Sequence, residues 1–230
     1  MARRNTRRDF LTGKAAADAL ADAAGGPLTS TGAHAGGRGA SYVIRLSRPA
    51  MACEFEIFLN AGQYPEGPEI ALQALDLLEP LEEQMSLFRP ESTISEINRD
   101  ASDRPVEVES RLFDLLQIAA RLHDETGGAF DITSAPLWEA WGFADRAPRV
   151  PNEAILREAL AHVGGNLVRL DAEKQTVQLL RRGVRLNLGS IGKGFALDRC
   201  AEELAAAGVH DFLLHAGGSS IVARGDCLSN

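Results

Sequence analysis

The 230-residue chain is 45% hydrophobic and 24% charged, an ordinary profile for a fold with a sizeable core, and its length allows one or two domains. A net charge of −8 argues against general affinity for nucleic acid or an anionic membrane, so an anionic ligand needs a local positive site or a metal ion. No apolar run approaches the ~20 residues of a transmembrane span; the three cysteines (Cys53, Cys200, Cys227) form no C-x-x-C pair, which argues against a zinc ribbon and a thioredoxin-type site, and their odd count argues against a disulfide framework.

Thr6-Arg7-Arg8-Asp9-Phe10-Leu11 resembles the twin-arginine export signal, a receptor-read address and not an anchor. An alanine-rich segment then reaches Ala33-His34-Ala35, an A-x-A type cleavage candidate. The expectation is an exported protein, periplasmic or membrane-peripheral in a bacterium; the alternative is an Ala/Gly tail with a chance arginine pair. Residues 1–40 are set apart from fold reasoning, and 41–230 read as the functional domain.

Residues 42–59 read as β structure, with Glu54 to Leu59 alternating; between the two strands lies the small, apolar Ala50-Met51-Ala52-Cys53. Ile70, Leu72, Leu75, Leu78 and Leu81 give a helical face from Glu69 to Met85, which Pro80 should kink or divide. Ser92 caps a short helix through Ile97, ended by Asn98 and Arg99; Ser110 caps another that stops at Gly127-Gly128. In Ala129-Phe130-Asp131-Ile132-Thr133-Ser134-Ala135-Pro136, Pro136 suits a first helical turn. There Asp131 reads either as a turn residue, with Ser134 a cap, or as an acceptor for a ligand ring or ribose.

Asn152 caps a helix from Glu153 to Val163, ended by Gly164-Gly165. Three strands follow as a meander: Leu167–Leu170, Thr176–Leu180 and Val184–Leu188. The last runs into Gly189-Ser190-Ile191-Gly192-Lys193-Gly194 and a helix that stops at Gly208, with Phe195, Leu197, Ala201 and Leu204 packing inward. A helix start leaves N–H groups without partners, glycines let a ligand approach the backbone, and Lys193 adds a charge. The stretch is neither a P-loop nor a dinucleotide fingerprint. Its spacing admits two readings equally: a helix packed tightly on a strand, or a seat for a phosphate or pyrophosphate. Phe212-Leu213-Leu214 is a buried strand that ends in His215-Ala216-Gly217-Gly218; with no acidic or histidine partner at ligand spacing, His215 is not expected to bind metal. Cys53 and Cys200 read as core thiols. The pattern as a whole suggests an α+β fold.

Taken together, Met51 in its apolar tetrapeptide, Met85-Ser86-Leu87-Phe88 with Ser92 and Asn98, Gly128 to Thr133 with Pro136 and Trp141-Gly142-Phe143, Leu188 to Asp198, and Gly217-Gly218 occur in the order found in the ApbE family, the FAD:protein FMN transferases. The resemblance covers about residues 42–227 and implies an α+β fold with mixed or antiparallel sheets and packed helices. It implies transfer of FMN from FAD to a threonine hydroxyl of a target flavoprotein, with release of AMP and dependence on Mg²⁺. By the same resemblance, Met51, Phe88, Ala129, Phe130, Asp131, Asn187 and Lys193 contact FAD, Ser190 offers an oxygen to the metal, and Gly217-Gly218 allows close approach to the nucleotide. The implied partner is an exported acceptor with a threonine target, such as a subunit of an ion-pumping NADH:quinone reductase.

The chain departs from the family pattern at three points. Asn187 stands where an acidic residue is common, Phe88 where tyrosine is frequent, and Ser219 where an acidic or amide side chain is common. Against the family, Asn230 falls before the C-terminal third, which normally supplies an Asp and a Thr to the metal, so a C-terminally truncated transferase is expected. Two alternatives stay open: a non-catalytic flavin-binding module and an inactive fragment.

Overall fold

The computed structural model describes residues 42–226; the arginine-pair stretch, Ala33-His34-Ala35 and Cys227 lie outside the described residues. In chain order the elements are β1 (Val43–Ala50), β2 (Cys53–Asn60), α1 (Gly67–Asp76), α2 (Leu78–Met85), α3 (Thr93–Asp100), β3 (Val106–Glu107), α4 (Ser110–Glu125), α5 (Ala135–Ala140), α6 (Glu153–Leu160), β4 (Val168–Asp171), β5 (Thr176–Leu179), α7 (Gly192–Ala206), β6 (Phe212–Ala216) and β7 (Ser220–Arg224). The fold is α+β, as expected, and it divides into two units: one runs up to Leu75 and resumes at Leu197, the other spans Asp76–Ala196.

The first unit holds an antiparallel sheet in the order β1-β2-β6-β7. Successive strand residues point to opposite faces, so Phe55, Ile57 and Leu59 of β2 share the buried face with Phe212, Leu214 and Ala216 of β6. A fully buried Phe, Ile or Leu contributes about 1.5–3 kcal/mol. Gly67 lets α1 approach this face: a Cβ there would lie 3.2 Å from Leu59 Cδ1. Cys200 on α7 donates its thiol to the Ala74 carbonyl at 3.2 Å, and burial pushes that thiol up to about 12. Cys200 is therefore the core thiol expected; Cys53, at the start of a strand, is only half-buried.

The other face of this sheet carries charge. Glu56 stands directly opposite His215, with Nε2 2.6 Å from Oε2, and the Arg45 guanidinium meets the other carboxylate oxygen. The Phe58 ring stacks on the imidazole at 5.6 Å. Sequence spacing showed no acidic partner for His215; strand pairing supplies one. At one end of the sheet, Met51 (φ 49°) and Ala52 (φ 59°) form the β1–β2 turn. Beside it, Gly217 (φ 56°) and Gly218 (φ 69°) begin the β6–β7 turn, and the Gly217 N–H donates to the Glu54 carbonyl at 2.9 Å. Both turns use the left-handed region that right-twisted hairpins require.

The second unit holds a three-stranded antiparallel sheet, β3-β5-β4, with Val177 and Leu179 buried beside Ile94 and Ile97 of α3. The helical run that contains Pro80 divides at Leu77, leaving the proline in the first turn of α2, where its missing N–H costs least. Ser92 caps α3 by accepting the Ser95 N–H at 3.0 Å, and Asn152 caps α6 by accepting the Ile155 N–H at 2.9 Å. Pro136 sits in the first turn of α5, as expected.

Several boundaries are corrected. The α4 cap is Glu109, whose side chain accepts the Arg111 N–H at 3.0 Å, so Ser110 lies inside the helix. Ser134 makes no side-chain capping bond. The α6 helix ends at Leu160, short of Val163. Asn98 and Arg99 do not end α3, which continues to Asp100. The largest correction is at Val184–Leu188, which joins no sheet. Among the described residues its only bridge is Arg185 beside Ser134, while the Asn98 amide takes both backbone groups of Leu186. A side chain does there what a neighbouring strand would do.

Candidate functional site

Three segments of the second unit meet around the start of α7. Asn187 donates its N–H to the Ile132 carbonyl at 2.7 Å, which sets the glycine-rich turn against the Ala129–Thr133 loop. The third segment is Met85–Phe88, because a Cβ on Gly192 would lie 3.5 Å from the Met85 sulfur. Phe88 is exposed, at 76%, and its ring meets Trp138 of α5 edge-on at 6.1 Å. An aromatic face left in solvent beside a second aromatic ring is suited to stacking a planar ligand.

Within the turn, Asn187 Oδ1 accepts the Gly189 N–H at 2.8 Å, so its amide shapes the loop instead of carrying charge. Gly189 and Ser190 are exposed, and Lys193 is half-buried with no acidic side chain paired to it among the described residues. At Gly194 a Cβ would meet nothing within 4 Å. Glycine in a helix costs about 1 kcal/mol relative to alanine, and neither packing nor backbone conformation asks for it here. The open space at Gly194, beside a cation at the positive end of a 15-residue helix, has the form of an anion seat.

Asp131 is largely occupied within its own loop. Its Oδ1 accepts both the N–H (2.7 Å) and the hydroxyl (2.6 Å) of Thr133, the geometry of an Asx turn. Ala129 is exposed and Phe130 half-buried in the same loop. The structure thus brings Phe88, Ala129, Phe130, Asp131, Asn187, Ser190 and Lys193 into one unit. Met51 and Gly217-Gly218 lie together at the sheet end of the other.

Magnesium prefers six oxygen ligands and usually takes one or two carboxylates from a protein. Among the described residues, no group of three or more His, Cys, Asp or Glu side chains is placed to hold a metal. Ser190 offers one exposed hydroxyl, so these residues do not by themselves fit the ion. Sequence reasoning missed His123, whose imidazole stands against Asp131; the signal available was a histidine just ahead of the Gly127-Gly128 reversal.

Comparison with known proteins shows the family. Residues 41–229 match the model of the ApbE family. The FAD:protein FMN transferase of Haemophilus influenzae is 30% identical over 183 residues, which cover 76% of this chain and 53% of that protein. The FAD:protein FMN transferase of Vibrio cholerae is 28% identical, with the same coverage. The solved flavin transferase ApbE from Vibrio cholerae superposes with a TM-score of 0.73 at 26% identity, over 80% of this chain and 60% of that one. The ApbE protein of Thermotoga maritima superposes with a TM-score of 0.68 at 28% identity, over 76% and 57%. This chain belongs to the ApbE family. It spans about half the length of the curated relatives it matches.

Proposed function

We propose that the chain binds FAD and serves an FAD:protein FMN transferase reaction. In that chemistry a threonine oxygen of the acceptor attacks the FMN-side phosphorus of FAD. The bond to the AMP phosphate breaks, AMP leaves, and the threonine proton passes to solvent or a base. Such a transfer depends mainly on positioning and on offsetting charge at the pyrophosphate. The observation that carries the reading is the unfilled space at Gly194 next to Lys193. On this reading the pyrophosphate lies on the first turn of α7, and the isoalloxazine ring stacks near Phe88.

Three finer parts of the reading rest on the resemblance and the sequence. By the resemblance, magnesium would offset charge at the pyrophosphate, and Ser190 would offer it one oxygen. The acceptor is a flavoprotein with a threonine target. The protein works outside the cytoplasm, on the strength of Thr6–Leu11. Because the described residues supply no carboxylate cluster, a binding module without transfer is the second reading.

Fluorescence titration of the full chain with FAD, with and without Mg²⁺, followed by assay for AMP release with an acceptor protein, separates these readings. Saturable binding with Mg²⁺-dependent AMP release supports the transferase. Binding without AMP release leaves the module, and absence of binding removes both.

A further inference from the structure

His123 lies in the last turn of α4, and the left-handed Gly127 (φ 60°) and Gly128 (φ 84°) turn the chain back across it. Its Nδ1 stands 3.3 Å from Asp131 Oδ2, with side-chain exposures of only 23% and 10%. The contact is off the line of a hydrogen bond, so among the described residues Nδ1 is buried without a hydrogen-bond partner of its own. Leaving such a group unsatisfied is costly, so it is retained where something is gained. The remaining contacts close a circuit. Thr133 Oγ1, bound to Asp131 Oδ1, accepts the Gly164 N–H at 2.7 Å. Gly165 in turn makes room for the imidazole, since a Cβ there would lie 2.8 Å from its Cδ2.

Within this circuit the two oxygens of Asp131 differ. Oδ1 already has two donors from Thr133, whereas among the described residues Oδ2 has only His123 beside it. We propose that His123 is a positioning residue for the flavin site, aiming Oδ2 of Asp131 at a hydrogen-bond donor of the bound flavin nucleotide. The inference rests on the reading that Ala129–Asp131 lines the flavin. A flavin nucleotide offers a ring N–H and ribityl hydroxyls, and a carboxylate oxygen accepts from either. His123 stands against the carboxylate at Oδ2, which limits its rotation, so the acceptor is in place before binding. Preorganisation of this kind raises affinity by removing an ordering cost.

The test uses the full chain and FAD as the probe, read by flavin fluorescence, with the Thr133 amide resonance and a thermal melt as controls. His123→Phe keeps a ring but has no donor; His123→Asn places an amide N–H near the Nδ1 position. The expected result is about tenfold weaker FAD binding for His123→Phe and recovery to within about threefold for His123→Asn. The Thr133 amide should stay in place in both variants. Unchanged binding by His123→Phe, or an Asn variant as weak as the Phe variant, overturns the inference and leaves a packing role. Should His123→Phe melt out, His123→Asn is compared with His123→Gln, whose amide reaches toward the Nε2 position. Tighter binding by Asn supports the inference, and equal binding overturns it. If the unsubstituted chain does not bind FAD, the flavin reading falls and takes this inference with it; every other failure falls on His123 alone.

Discussion

Asn98 and Leu186 are 88 residues apart and share two hydrogen bonds: the Asn98 Nδ2 donates to the Leu186 carbonyl at 3.0 Å, and the Leu186 N–H donates to Oδ1 at 2.7 Å. Leu186 is fully buried, so no water replaces either bond if the amide is lost. We predict that Asn98→Ala costs about 2–6 kcal/mol, the sum for two buried backbone groups left without partners. Asn98→Asp should recover part of this, because one oxygen still accepts. Urea denaturation checks both values; a loss under 1 kcal/mol for the alanine variant, on the scale of an ordinary surface change, would contradict this account.

Gly194 gives a test in which stability and binding move in opposite directions. Its backbone is helical and its Cβ position is empty, so Gly194→Ala should stabilise the ligand-free chain by about 0.5–1 kcal/mol. The same methyl group occupies the space assigned to the pyrophosphate, so FAD binding should weaken. A variant that is more stable and binds FAD equally well would show that the anion lies elsewhere.

The Met51–Ala52 turn holds two residues with side chains in the left-handed region, each at a cost of about 1–2 kcal/mol. Asparagine and glycine suit those two positions best. Met51→Asn with Ala52→Gly should therefore raise the melting temperature. If Met51 is retained for contact with the flavin, the same pair of changes should weaken FAD binding. Higher stability with unaltered binding would make the turn purely structural.

Acid sensitivity should appear at Asp211. The Tyr64 hydroxyl, the Asp226 N–H and the Gln63 amide all donate to its carboxylate and hold it below the usual carboxylate range. A lowered value in the folded state means the stabilisation is complete above the ordinary carboxylate pKa of about 4 and is lost as pH falls through the lower folded value. Asp211→Asn should flatten the stability profile below about pH 4 and leave its shape near neutrality unchanged. Melting curves across that range decide the point.

Local chemistry was legible in the sequence wherever the partner was near. Ser92 and Asn152 cap the helices they precede, Pro136 sits in a first turn, and the helix after Lys193 stops at the left-handed Gly208. Distant partners were not legible. Val184–Leu188 has the apolar pattern of a strand, yet its hydrogen bonds come from Asn98 and from the loop at Ile132, which no periodicity reports. Glu56 and His215 meet only because β2 pairs with β6. The turn before α7 was visible from its glycines, but which glycine faces open space was not: Gly192 packs against Met85 and Gly194 does not.

The Glu56–His215 pair also works as a parity check on sheet assembly. A slip of β2 against β6 by one residue would exchange the two faces of the sheet, sending Ile57 or Leu214 outward and leaving a carboxylate and an imidazole without each other in the apolar layer. Apolar contacts are non-directional, so they do not by themselves reject a two-residue slip, which keeps the faces. A charged pair that meets in one register only makes the neighbouring registers costly, so the turn before β2, which holds Met51, and the turn after β6, which holds Gly217-Gly218, come level with each other.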